Sequence, residues 1–421
     1  MSKVKFVRAL AGISVLTLVA AACSNNGSSS NSSSPSAGGS AAVPSVTIAS
    51  FSSTTPSAMA VFKALVAAAT KNQNSLQVGV VLPDTTSSTR YVDYDAPRLK
   101  ASFLAAGYTS SQFKIENAQG SDATQLSMAT ADINQGAKVL IVDPIDGPSG
   151  VAVAKLAQSK GVQLISYDRA TFEGTNTYYV SFDNELVGEN IGKGFMDCVS
   201  SWGVSKPKVF VLNGGEDTDP NAISFAEGYN KVVWGKEAKT VAGGATNSKG
   251  YSLVAENFAP AWDNTKGGTI FQQAFTAHPE INATIEANDG LANSVITVLK
   301  SAGVKPKTIP TVGQDATPQG MAWTLQDYQC GSVYKPILVE AQAAVALASI
   351  LLAGKTPPSG LLNGTTTDPT NSSVTEPAVL LTPVWVDKTN MQDIVVKDKE
   401  PTAKDICDLA GAQVCAANGI Q

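Results

Sequence analysis

One pattern restricts what this chain can fold into. From Val78 onward, short runs of β-branched and aliphatic residues alternate with stretches of helical spacing. VGVVLP (Val78–Pro83) reads as a buried strand, and a helical stretch through Leu99–Leu104 stops at Gly107. FKIENA, then KVLIVDPID, VQLISYDRA and TYYVSFDN read as further strands, separated by the helical segments TQLSMATADINQGA and GPSGVAVAKLAQSKG. Strands joined through single helices imply βαβ units and a parallel sheet. The pattern then restarts. A helix over Glu185–Val199 sets Val187, Ile191, Phe195 and Cys198 on one face, and KVFVLNGG follows as a strand. A helix, a strand near KTVAG (239–243) and a helical stretch toward Ala277 come next, then TIEAND, SVITVLKSAG, TIPTVGQD and GSVYKP. Two successive sets of similar size predict an α/β fold of two lobes, each a doubly wound parallel sheet. Pro336 opens a long helix that Gly354 stops, and AVLLTPVWV is the last strand.

In open parallel sheets ligands sit beyond the carboxyl ends of the strands. Those positions here are Pro83-Asp84, Asp143-Pro144-Ile145-Asp146, Tyr167-Asp168-Arg169, Asn213-Gly214-Gly215, Asn288-Asp289 and Gly313-Gln314-Asp315. Side chains that both donate and accept recur at these ends in both halves. Such residues suit carbohydrate hydroxyls, with an aromatic face to cover the C–H surface of the ring.

The first forty residues carry a different message. Lys3, Lys5 and Arg8 precede an uncharged apolar run, Ala9–Ala22, which meets Cys23. A basic head, a short apolar stretch and small residues before a cut site predict a secretory signal peptide over 1–22. The run is short for a membrane span, which needs roughly 20 apolar residues. Cys23 directly after Ala20-Ala21-Ala22 resembles a bacterial lipobox, in which the cysteine is lipidated and becomes the N-terminus; Ala20 stands where that motif prefers Leu. Ser24–Ser40 is almost wholly Ser, Asn and Gly, too polar to offset its ordering entropy. Residues 23–45 therefore read as a lipid-anchored tether, with a reach on the order of 20–25 Å for about 17 residues.

The expected location is outside the cell, on the outer face of the membrane. There the even number of cysteines that remains after Cys23, four of the five, favours disulfides. Cys407 and Cys415 close a short loop near the C-terminus, which leaves Cys198 to pair with Cys330. With one histidine, His278, and no C-x-x-C pair, no metal site is expected. No cofactor is implied. At 15% charged residues and a net charge of −5, a nucleic-acid surface is not indicated.

Read in order between Val78 and Gly354, the motifs LPD (Leu82–Asp84), TRY (Thr89–Tyr91), SYDR (Ser166–Arg169), SFDNELVGE (Ser181–Glu189), DPNA (Asp219–Ala222), ANDG (Ala287–Gly290), GQDA (Gly313–Ala316) and VYKPI (Val333–Ile337) resemble those of the type I periplasmic sugar-binding proteins, most closely the D-xylose-binding branch. The resemblance implies two lobes joined by a three-strand hinge, with crossings near Ser181–Asn184, Val333–Lys335 and Val379–Pro383. The lobes would comprise 76–183 plus 336–372, and 184–335 plus 373–421. It also implies ligand contacts from Arg90, Asp168 and Arg169 in the first lobe. Asn221, Asn288, Asp315 and Lys335 would serve from the second, with Trp262 stacking on the sugar and Tyr91 as its counterpart. Asp146 stands where the branch often has Asn and joins this set. The implied function is capture of a monosaccharide, xylose or a relative, by lobe closure. A monomeric protein would then deliver the sugar to the transmembrane subunits of an ABC permease, touching the membrane only through its lipid.

Plainer uses exist for several of these residues. Asp168 and Arg169 can form a local ion pair, Trp262 can be a core aromatic, and Asn221 or Asp289 can cap the helix it precedes. Enzyme readings fit poorly. Gly354-Lys355-Thr356 lacks the earlier glycine of a phosphate-binding loop, having Ser349 there. A single histidine leaves most triads without a base. A glycosidase needs paired carboxylates, for which Asp146 and Asp315 are the candidates, but they stand among binding motifs. No catalytic residue is expected. The same fold serves repressors, yet the leader replaces their basic helix-turn-helix; a sensor feeding a chemoreceptor or kinase is the standing alternative. If Cys23 carries lipid, the mature protein will fractionate with membranes and Cys23→Ser will move it to the soluble fraction. Continued membrane association of the variant refutes lipidation.

Overall fold

A computed structural model of the protein describes residues 41–71, 74–173 and 177–421. The expected signal peptide, Cys23 and nearly all of the tether lie outside the described residues. The first lobe begins earlier than residue 76. A 3₁₀ segment Pro56–Phe62 runs into α1 (Lys63–Ala69), and Met59, Phe62, Leu65 and Val66 are buried. PSAMAVFKALVAAA, which falls between the expected tether and the expected lobe, carries an apolar face that is stable only when buried.

Five parallel strands follow with their helices: β1 (Val78–Leu82), α2 (Ala96–Ala105), β2 (Phe113–Asn117), α3 (Asp122–Gln135), β3 (Val139–Val142), α4 (Gly147–Lys160), β4 (Gln163–Tyr167) and β5 (Thr177–Phe182). The second lobe holds α5 (Asn184–Ser201), β6 (Lys208–Gly214), α6 (Pro220–Trp234), β7 (Ser252–Ala259), α7 (Asn264–Ala277), β8 (Ala283–Glu286), α8 (Asp289–Ser301), β9 (Gly313–Gln314), α9 (Pro318–Leu325) and β10 (Ser332–Tyr334). The chain then returns through α10 (Ile337–Leu352), the hairpin β11 (Gly364–Asp368) and β12 (Asn371–Leu381), before β13 (Val384–Val386), α11 (Ala403–Ala410) and α12 (Ala412–Ala417).

The first sheet has the order β11-β12-β5-β4-β3-β1-β2. β12 pairs in parallel with β5, from Ala378 opposite Tyr179 to Leu381 opposite Phe182. The boundary expected at 372/373 therefore falls after Leu381, because Ala378–Leu381 add a strand to the first sheet before the chain crosses. α10 is apolar nearly all round and buried from Ile337 to Leu351, wedged between β3–β5 and the pair α1 and α2. A helix without a polar face needs cover on every side. No helix among the described residues is long and apolar enough to cross a membrane.

The second lobe departs from one continuous sheet. β7-β6-β8 form one parallel ladder and β13-β10-β9 another. They meet where Thr284 N donates to Pro310 O at 2.9 Å and Val312 N donates to the carboxylate of Glu286 at 3.0 Å. That side chain takes the place of a backbone acceptor, and burial pushes its pKa up to about 8. The strand expected at 239–243 is irregular, held where Val241 N meets Glu256 Oε2. Gly243 and Gly244 break that run, and Ser252–Ala259 pairs with β6 instead.

Cys198 is bonded to Cys330, tying the end of α5 to the approach to β10, and Cys407 is bonded to Cys415 between α11 and α12. This C-terminal pair packs Ile406, Ala410 and Cys415 with Met321, Leu325 and Val386 in a small core of its own.

α5 and α6 approach closely at Gly188 and Gly228. A Cβ on Gly228 would run into the carbonyl oxygen of Glu185, and one on Gly188 into that of Phe225. Gly228→Ala must push the helices apart and should cost about 1–3 kcal/mol, as overpacking does. Chemical denaturation that finds no loss would show that the helix pair yields freely.

Candidate functional site

The cleft is built from loops at the carboxyl ends of strands of both lobes. After β1, the Asp84 carboxylate accepts the N–H groups of Thr86 (2.7 Å) and Ser87 (2.6 Å) and the Ser87 hydroxyl (2.7 Å). This turn points Ser87 and Ser88 into the cleft. After β4, Asp168 adopts φ 60°, in the left-handed region. Two more cleft residues share that region, Trp262 (φ 56°) and Asp315 (φ 90°). Such backbone is sparsely populated by non-glycine residues and persists only where its surroundings hold it.

What holds each is visible. The Asp168 carboxylate receives Arg90 Nη1 at 2.7 Å and the Tyr91 hydroxyl at 3.0 Å, while its carbonyl accepts Tyr179 Oη (2.7 Å) and Asn221 Nδ2 (3.0 Å). Trp262 Nε1 donates to Asp219 Oδ2 at 2.8 Å, and its ring meets Phe225 edge-on at 6.2 Å. Gly214 and Gly215 leave room for that ring, since a Cβ on either would collide with it. Asp315 faces Lys335 Nζ at 3.0 Å and accepts the Ser88 hydroxyl at 3.1 Å from the opposite lobe.

Ser87, Ser88, Tyr91, Asp168, Arg169, Asn221, Phe225, Trp262, Asn288, Gln314, Asp315 and Lys335 line one partly open cavity of about 320 Å³, counting space open to solvent. Sequence reasoning thus brings together Tyr91, Asp168, Arg169, Asn221, Trp262, Asn288, Asp315 and Lys335. Two expected residues lie elsewhere. Asp146 caps α4, its carboxylate accepting Ser149 N at 2.7 Å while its own N–H donates to the Ser149 hydroxyl at 3.0 Å. It does not line the cavity, so it does not oppose Asp315 there. Arg90 is buried behind the cavity. Its guanidinium forks onto Asp95 (2.8 and 2.9 Å) and also binds Asp168 (2.7 Å) and Glu340 (2.6 Å). Carboxylates occupy the fork that was expected to meet a ligand. Gln314 is one of the strand-end positions, whereas nothing in the sequence singled out Ser87, Ser88 and Phe225; the run Thr85–Thr89 after a strand end was the available signal for the two serines.

The electrostatics are balanced in place. Burial alone would raise the pKa of Asp168, but Arg90, then Lys335 and Arg169, outweigh it and hold the group well below the usual carboxylate range. Its stabilising contribution is complete above the ordinary Asp pKa and is lost as pH falls toward the depressed value. Burial would lower Lys335, yet Asp315 and Asp168 raise it above its ordinary value. Beneath Arg169, burial drives the Asp143 carboxyl up, as it does Asp289 (to about 7) behind Asp315. Arg169 lies over the Tyr91 ring at 5.5 Å and donates to Pro144 O at 3.1 Å and to the Ser87 hydroxyl at 3.3 Å. The cavity therefore presents fixed donors and acceptors with one aromatic wall. Among the described residues no cluster of His, Cys, Asp and Glu is placed to hold a metal.

Comparison with known proteins supplies context. Residues 78–356 match the family model of the periplasmic binding protein domain. A D-xylose-binding periplasmic protein of Escherichia coli is 30% identical over 77% of this chain and 90% of its own length. A multiple sugar-binding periplasmic protein of Azospirillum brasilense is 28% identical over 83% of this chain and 97% of its own. In structure, the carbohydrate transporter solute-binding protein of Chloroflexus aurantiacus in complex with D-glucose superposes with a TM-score of 0.65. It is 25% identical, covering 79% of this chain and 99% of that one.

Removing the buried guanidinium tests the arrangement. Arg90→Met leaves Asp95 and Asp168 without their main partner and should cost about 3–5 kcal/mol, the range for breaking a buried ion pair from one side. A denaturation midpoint unchanged from wild type would show that these carboxylates do not depend on Arg90.

Proposed function

This chain belongs to the periplasmic binding protein family, and on that premise we propose that it captures a monosaccharide, xylose or a close relative, and hands it to an ABC permease. The observation that carries the reading is convergence. Asp168 and Arg169 from one lobe, and Asn221, Asn288 and Asp315 from the other, surround one cavity beside the Trp262 ring, with Lys335 at the crossing. A hexose or pentose presents hydroxyls that both donate and accept, and a C–H face that an aromatic ring covers. The sugar-binding names of the relatives and the glucose complex point the same way.

The mechanism follows from connectivity. The chain passes between lobes after Phe182, after Tyr334 and after Leu381. Short crossings of this kind allow hinge motion. A ligand that touches both lobes binds the closed arrangement better and so shifts the population toward it, by no more than its differential affinity. The closed pair of lobes then presents a surface that the open pair lacks, which is what a permease reads. Export, and anchoring through Cys23 on the outer face of the membrane, complete this proposal; it assigns no catalysis.

A thermal-shift panel of pentoses and hexoses on the mature protein tests it. A sugar at about 100 times its Kd stabilises the native state by about 2.7 kcal/mol, which a melting curve reads easily. D-xylose is expected among the responders, and Arg169→Ala or Trp262→Ala is expected to abolish the shift while the apo melting point stays measurable. No shift with any member of the panel would end the sugar reading.

A further inference from the structure

We propose that the cleft continues past the monosaccharide cavity into a second subsite, and that this subsite takes a second neutral sugar ring, so that the protein also holds a disaccharide. The proposal deepens the function above and rests on it. Ser87 and Ser88 form one wall of the inner cavity, and the same two residues line a separate, partly open chamber of about 810 Å³, counting space open to solvent. The chamber is again made by both lobes, with Thr86 and Thr89 facing Asn264, Asn293, Ser294 and Thr317.

Its chemistry selects the ligand class. Hydroxyl and amide side chains dominate the lining, and Asp93 is the one lining residue that carries charge. A phosphate or carboxylate ligand would find no cation there, whereas a sugar ring finds scattered hydroxyl and amide groups on a largely apolar surface, which matches its mixed hydroxyl and C–H faces. Pro318 and Leu409 supply apolar surface for ring C–H groups, and Leu409 is 46% exposed. Two acceptors in the wall are unspent. The side-chain oxygens of Asn264 and Asn293 are buried without a hydrogen-bond partner, although Asn264 Nδ2 donates to Thr86 O across the cleft at 3.1 Å. Buried polar atoms of native proteins are ordinarily paired with protein or ordered water, so these two oxygens are acceptors still open to a partner at the chamber wall.

The partition between the two spaces is slight. It consists of two small side chains, joined to the other lobe by Ser88 Oγ to Asp315 at 3.1 Å and by Asn288 Nδ2 to Ser87 O at 3.5 Å, the latter at the limit of a hydrogen bond. Both bonds connect opposite lobes, so hinge opening breaks them, and a glycosidic link can replace them on closure.

Titration calorimetry on the mature protein decides this with paired probes: D-xylose against 1,4-β-xylobiose, and D-glucose against cellobiose. At least one disaccharide is expected to bind within about tenfold of its monosaccharide. Asn293→Leu, which removes a chamber acceptor, is expected to weaken that disaccharide by about tenfold and to leave the monosaccharide within about twofold. Monosaccharide binding without binding of either disaccharide overturns the second subsite and leaves the monosaccharide reading standing. So does an Asn293→Leu effect that is equal on both ligands or absent. Binding of none of the four overturns the monosaccharide reading and the subsite with it.

Discussion

The cleft depends on one buried cation. Arg90 is the meeting point of three carboxylates that arrive from separate parts of the chain: Asp95 at the start of α2, Asp168 at the end of β4, and Glu340 on α10. A guanidinium buried this deeply is tolerable only when its donors are spent on such partners. The consequence runs in both directions. Arg90 keeps Asp168 ionised and aimed, and Asp168 in turn faces Lys335 at 3.6 Å on the crossing between lobes. Burial meanwhile raises the pKa of Glu340, and Arg90 opposes that rise. An interior ion network thus sets the charge and the geometry of the cavity floor.

On that floor, positive-φ backbone is concentrated among residues that line the cavity. Asp168, Trp262 and Asp315 each sit at positive φ, and each is pinned by side-chain bonds that reach to another element. Preorganisation of this kind reduces the ordering that binding must supply. It also explains why the pinning residues, among them Asp219, Tyr179 and Arg90, lie outside the space they shape.

Much of this was legible beforehand. The alternation of apolar runs and helices gave the α/β class. Strand ends pointed to Asp168, Arg169, Asn288, Gln314 and Asp315 of the cavity lining, because a parallel sheet fixes where its loops converge, while Tyr91, Asn221, Trp262 and Lys335 came from the family resemblance. What failed did so for physical reasons. A charged residue at a strand end has several outlets: Asp146 found a helix N-terminus, and Arg90 found carboxylates distant in sequence. Ser87 and Ser88 carry no distinctive chemistry until Asp84 folds their turn. The helix ending at Ala69 fell outside both the expected tether and the expected lobe because its partner, α10, lies far along the chain, and KTVAG looked like a strand because its β-branched residues outweighed the glycines that follow.

The path of the chain through the first sheet has a further consequence. α10 fills that lobe's interior and β12 completes the pairing of β5, yet both come from beyond residue 336, after the whole of the second lobe's main segment. Neither half is therefore an autonomous unit. A nascent chain stopped before Ile337 exposes the apolar underside of β3, β4 and β5, and one stopped between Leu352 and Ala378 still leaves the edge of β5 unpaired. Assembly is late and interlocked, which favours slow folding of long-range topology over early, independent collapse of either lobe.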